Sequence, residues 1–131
     1  MEMKNVLLIG LAGGLGTIAR YLVALGAGRL FAGTSFPIGT FTVNVIGCFL
    51  IAAIAQLAMN PSYGSPTARL VLTTGFMGGL TTYSSFDYET TLFVQQRAWG
   101  MGLCYFVATV IACFVAGLLG FAAAGRFVPV G

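Results

Sequence analysis

Long apolar runs alternate with short polar or breaker-rich stretches along the whole chain. The runs cover about residues 5–31, 37–59, 68–94 and 99–124. Each exceeds the roughly 20 residues that carry a helix across a bilayer. Between them lie Ala32-Gly33-Thr34-Ser35, then Asn60-Pro61-Ser62-Tyr63-Gly64-Ser65-Pro66, then Gln95-Gln96-Arg97. Connections this short predict consecutive helices that are antiparallel neighbours. Pro37 falls where a helix accepts proline, in its first turn, and Pro66-Thr67 precedes the third run in the same way. The pattern therefore predicts one all-α integral membrane domain over 1–131, with four spanning helices and both termini on one side.

Composition supports a lipid setting. Of the 131 residues, 58% are hydrophobic and 7% charged, against about 25% charged in ordinary soluble domains. Mean hydropathy is +0.96. The opening Met1-Glu2-Met3-Lys4 has one basic residue, and the apolar run after it outlasts a signal-peptide core of roughly 7–15 residues. It reads as the first spanning helix, not a cleaved leader. Cys48, Cys104 and Cys113 all lie in apolar runs and are expected as free packing residues. There is no His, which excludes His-based catalysis and His metal ligation, and no nucleophile–base pair marks an enzyme. A net charge of +3 is too small to suggest nucleic acid as a partner.

The third run is the exception to the pattern. Residues 75–89 read Gly-Phe-Met-Gly-Gly-Leu-Thr-Thr-Tyr-Ser-Ser-Phe-Asp-Tyr-Glu. Adjacent glycines, clustered hydroxyls and two acids make a poor continuous spanning helix. Irregular backbone at membrane depth survives only inside protein or beside a wet cavity. A break is expected at Gly78, Gly79, Thr81 and Thr82, and such a break marks an ion or substrate site. Tyr83 and Phe86 follow one turn apart and share a face. Ring edges carry partial positive charge, so this pair serves either packing or contact with a small anion. Asp87 and Glu89 are expected beyond the break, nearer water.

Other polar residues fall inside the spans. Arg20 lies well within the first, where a charge costs about 2.5–3.5 kcal/mol on insertion scales; it is either a tether to a neighbouring helix or a fixed positive charge that draws anions inward. Thr40 and Asn44 are one turn apart on the second helix, and Gly47 and Cys48 continue that face. Asn44 offers two donors and an acceptor, for helix–helix contact or for an anion path. Tyr105, Thr109 and Cys113 recur every four residues as a mildly polar stripe on the fourth helix. Gly10-x-x-x-Gly14 and Gly75-x-x-x-Gly79 match the small-residue pattern of close helix packing. Gly14-x-Gly16-x-x-Ala19 mimics a dinucleotide fingerprint, but no acidic residue stands between Glu2 and Asp87 to hold a ribose.

Charge gives little direction to insertion. Lys4, Arg69 and Arg126 fall on the side of the termini, Arg29 and Arg97 on the other. Orientation follows a clear Lys/Arg excess in cytoplasmic loops. Here the chain either inserts both ways up or is oriented by a weak bias.

Taken together these stretches resemble the Fluc (CrcB-type) bacterial fluoride channel family. Gly13-Gly14-Leu-Gly16-Thr-Ile-Ala-Arg20-Tyr21 is similar to its opening motif, and Gly39-Thr40-Phe-Thr-Val-Asn44-Val-Ile-Gly47 to its second-helix motif. The stretch from Thr74 to Phe86, ending in Glu89, is similar to its third-helix signature. The resemblance implies an antiparallel dual-topology homodimer in the bacterial cytoplasmic (inner) membrane, with two pores that export fluoride passively. It implies a structural Na⁺ on the two-fold axis, held by the main-chain carbonyls of Gly78 and Thr81. Pore residues would be Asn44, Tyr83 and Phe86 with Thr40, Ser84, Ser85, Tyr105 and Thr109, and Arg20 would charge the vestibule. Two departures stand out: Tyr83 replaces the family's usual Phe, and Thr109 and Cys113 replace its usual Ser. The competing readings are a proton-coupled small multidrug transporter, which needs an embedded carboxylate, and a non-transporting membrane assembly protein.

Overall fold

The computed structural model describes residues 2–128; residues 1 and 129–131 of the expected 1–131 domain lie outside it. Helix α1 runs Glu2–Leu30 and α2 Ile38–Leu57. A short turn at Pro61–Tyr63 leads into a continuous helical stretch, α3, over 66–80. Helix α4 is Tyr83–Gln95 and α5 is Trp99–Gly125. The turn, α3 and α4 start on side-chain caps. Asn60 accepts from the Ser62 N–H, Ser65 from the Ala68 N–H and Thr82 from the Ser85 N–H. Each cap satisfies an amide that no earlier carbonyl reaches.

Three helices, α1, α2 and α5, are long and apolar enough to cross a membrane, and the chain is a multi-pass membrane protein. The third apolar run is two shorter helices. Thr81 (φ −79°, ψ 154°) and Thr82 (φ −148°, ψ 109°) are extended between α3 and α4. Before them, Val71–Met77 is wound in the wider π form, a local winding often found at functional sites.

Close backbone approach holds α3 against α1. A Cβ added at Gly16 would overlap the Phe76 carbonyl oxygen, and one at Gly79 would overlap that of Gly13. At Gly75 it would come 2.9 Å from the Ala12 Cβ. The glycines that let α1 approach are thus Gly13 and Gly16. Gly10 and Gly14 correct the pattern reading on this point: a Cβ on either meets nothing within 4 Å. Spacing identified a small-residue pair without showing which side of α1 meets α3. On the other flank, Gly120 of α5 lies against the Phe49 carbonyl of α2, and Gly47 against the Thr81 methyl.

The buried centre is Val43, Met77 and Leu80, with Ala19, Val23, Leu50 and Phe76 packed around it. Large apolar side chains cover the outside, including Leu7, Leu11 and Leu15 on α1 and Phe114 and Leu118 on α5. In water such a surface would be a continuous liability; against lipid or a second copy it is satisfied.

Candidate functional site: the interrupted helix and its hydroxyl network

Asn44 fastens the interruption to α2. Its Nδ2 donates to the Thr82 carbonyl at 3.0 Å, and its Oδ1 accepts from the Thr82 N–H at 2.8 Å. Both residues are buried. The extended dipeptide is therefore satisfied as a strand partner would satisfy it, by one side-chain amide. One Asn44 N–H is left over from this exchange.

The same bonds release carbonyls. In a regular helix the Thr82 N–H would close onto Gly78 and the Ser85 N–H onto Thr81. Instead they donate to Asn44 Oδ1 and Thr82 Oγ1. Gly78 and Thr81 thus lose their regular helical donors. Gly78 is exposed and Thr81 half-buried.

Beside the clamp lies a cavity of about 390 Å³, lined by Asn44, Thr82, Tyr83, Phe86, Thr109 and Cys113 among others. Thr109 is 4% exposed, and its Oγ1 is buried without a hydrogen-bond partner. An orphaned buried hydroxyl costs about 1–3 kcal/mol, so its presence calls for a guest or water. Phe86 is buried, with ring centroids 5.3 Å from Tyr105 and 5.7 Å from Phe106. Tyr83 is 5.9 Å from Phe86 but 77% exposed, so the two rings touch while only one is enclosed.

A second cavity, about 370 Å³, opens on the other side of Thr82. Arg20, Tyr21, Thr40, Val43, Thr82 and Ser85 line it. The Thr82 hydroxyl donates to Ser85 Oγ at 2.9 Å and lies 3.4 Å from Ser84 Oγ. Thr82 therefore borders both cavities. Ser84 is exposed at the edge of this cluster.

Glu89 lies beyond the break as expected, but protein encloses it where the expectation put it nearer water. It is half-buried, and its two oxygens accept from Thr40 Oγ1 at 2.7 Å and Tyr105 Oη at 2.6 Å. Three helices, α2, α4 and α5, meet on this carboxylate. The physical reason is spacing: Glu89 lies one turn beyond buried Phe86 and shares its inward face, and two hydroxyls replace the lost hydration. Asp87, off that face, is exposed. Tyr105 is fully buried among Phe36, Phe86 and Phe93. Thr82 belongs to the break expected from the sequence, whereas Glu89 carries no site role there; its one-turn offset from Phe86 is the signal for it.

The arrangement is that of a helical membrane protein with a cavity-flanked extended dipeptide between two short helices, a geometry that recurs at ion and substrate sites. Residues 7–121 match the family described as CrcB-like protein, Camphor Resistance (CrcB). The chain is 44% identical over 126 residues to "Fluoride-specific ion channel FluC" of Sorangium cellulosum, covering 96% of this chain and 98% of that one. It is 47% identical over 124 residues to the protein of the same name from Chlorobaculum tepidum, covering 86% and 97%. The Caulobacter vibrioides protein of that name is 46% identical over 121 residues, covering 89% and 94%. The chain belongs to the CrcB family.

Proposed function

We propose that the protein is a fluoride-selective channel that lets fluoride leave the bacterial cytoplasm down its electrochemical gradient. The observation that carries this reading is the pair of cavities meeting at Thr82, with the Asn44 amide, the unpartnered Thr109 hydroxyl and the Phe86 ring on their walls. Fluoride is small and strongly hydrated, so a path must replace water with other donors. Many weak donors suit conduction better than one deep trap, because the ion must leave as well as enter. Hydroxyls at Thr40, Thr82, Ser84, Ser85 and Thr109, the spare Asn44 N–H and the edges of Phe86 and Tyr83 form such a series. Arg20, lining the second cavity, draws anions toward its mouth.

The working unit in this reading is an antiparallel homodimer with two pores. Three features support it: a near-even Lys/Arg balance, the exposed Tyr83 beside enclosed Phe86, and the exposed Gly78 with its freed carbonyl. The donor set also fits a structural Na⁺. Carbonyl oxygens are hard ligands suited to a hard cation, and Gly78 and Thr81 of each copy would hold it. The bound ion would supply the positive charge that carbonyls released from the helix otherwise lack.

Glu89 keeps one rival in view, since a proton-coupled multidrug transporter needs a carboxylate inside the bundle. Both its oxygens are engaged by hydroxyls, which favours a positioning role. Reconstitution decides between them. Fluoride efflux from proteoliposomes without proton coupling supports the channel; drug-driven proton movement with no fluoride efflux would replace it.

A further inference from the structure

Two cysteines meet on the far wall of the cavity that holds Asn44 and Phe86. Cys48 lies one turn beyond Asn44 on α2, and Cys113 one turn beyond Thr109 on α5. Both cysteines line the same two cavities, which places their side chains together across the α2–α5 contact. The backbone agrees: the Cys48 carbonyl lies 3.9 Å from where a Cβ on Gly117, one turn past Cys113, would stand. Both cysteines are half-buried and free. They line the cavity of about 390 Å³ that holds Asn44 and Thr109 on one side and one of about 370 Å³ on the other, walled by Ile51, Ala55, Phe114 and Leu118. Cys104, the third thiol, is exposed on α5 and lines neither.

We infer that Cys48 and Cys113 form a dithiol site for a soft, two-coordinate d¹⁰ cation, which would tie α2 to α5 and obstruct the ion path. Thiolates select soft metals. Among the described residues no group of three or more His, Cys, Asp and Glu side chains comes together, so the three or four protein ligands zinc takes are not supplied. Two sulfurs alone suit a linear cation. With a divalent ion, each thiol gives its proton to solvent, two sulfur–metal bonds form and no electron is transferred. The product is neutral, so the apolar cavity beside it does not penalise the complex as it would a charge. Two thiols held together also gain roughly 10²–10⁴-fold over one, because the second bond is intramolecular. The site itself stands on the paired thiols; only the obstruction of flux rests on the channel reading.

Mercuric ion is the probe. The reduced, purified full-length protein is loaded with mercuric chloride, challenged with excess monothiol and desalted, and the retained metal is measured. Wild type and Cys104→Ser should retain about one mercury per chain, whereas Cys48→Ser and Cys113→Ser should each lose about 10²-fold in retention. Alkylation mapping of loaded wild type needs no variant: Cys104 should be labelled while Cys48 and Cys113 are protected. Retention by either serine variant at the wild-type level, or labelling of Cys48 or Cys113 in the loaded protein, would overturn the site. In proteoliposomes mercuric ion should stop fluoride efflux in wild type and Cys104→Ser but not in Cys48→Ser, each compared with its own metal-free rate. Intact efflux from fully loaded wild type would refute the obstruction. Absent efflux from metal-free wild type would instead refute the channel reading while retention still reports on the dithiol.

Discussion

Replacing Asn44 with Ala removes the one side chain that satisfies the extended dipeptide. Two bonds vanish together, at 3.0 and 2.8 Å; the Thr82 N–H is left buried without a partner, while the Thr82 C=O, at the N-cap of α4, keeps the first bond of that helix. A buried polar group stranded in this way costs about 1–3 kcal/mol. Water entering the adjoining cavity of about 390 Å³ recovers part of that and the second lost bond adds to it, so the loss should be about 2 kcal/mol. At about 4 °C per kcal/mol for a chain of this size, the unfolding midpoint should drop by roughly 8 °C. The assay is thermal unfolding of the purified protein in one detergent, followed by electrode-measured fluoride efflux from vesicles. Asn44→Asp is the informative companion. It keeps an acceptor for the Thr82 N–H and sets an oxygen against the Thr82 carbonyl, so it should be no more stable than Asn44→Ala. An Asn44→Ala variant with an unchanged midpoint and unchanged efflux would refute the clamp and its place beside the path.

Phe86→Ile keeps an apolar side chain but removes the ring edge; fluoride efflux should be abolished with the elution volume of the purified protein unchanged, and wild-type efflux would remove Phe86 from the path. Gly79→Val places a methyl-bearing carbon on the Gly13 carbonyl of α1, where backbone cannot yield; the protein should no longer be recovered as a single species after extraction, and normal recovery would contradict the α1–α3 packing. Glu89→Leu removes both accepting oxygens and leaves the Thr40 and Tyr105 hydroxyls facing hydrocarbon; stability should fall by about 1–3 kcal/mol, read as a lower unfolding midpoint, and an unchanged midpoint would show that the two bonds contribute nothing.

Much of the architecture can be read from the chain because lipid imposes a strong rule on it. Long apolar runs have few structural options in a bilayer, and Gly78-Gly79 followed by Thr81-Thr82 violates the rule at one place. Helix-face assignments were less legible. Gly10 and Gly14 have the right spacing but the wrong azimuth, and only the packed structure shows that Gly13 and Gly16 meet α3. Glu89 is expected nearer water from its place beyond the break; its one-turn offset from Phe86 is visible in the chain, but the two hydroxyls that meet it come from α2 and α5, which sequence distance conceals. The Cys48–Cys113 contact is hidden for the same reason, since it follows from the register between two helices. The π winding over Val71–Met77 left no mark in the residue pattern.

The most direct test of the account compares anions in one preparation. The purified protein is reconstituted into vesicles loaded with equal fluoride and chloride, and efflux of each is followed after the membrane potential is released. The account predicts rapid fluoride efflux with chloride retained. Equal efflux of both ions, or none of either, would contradict it.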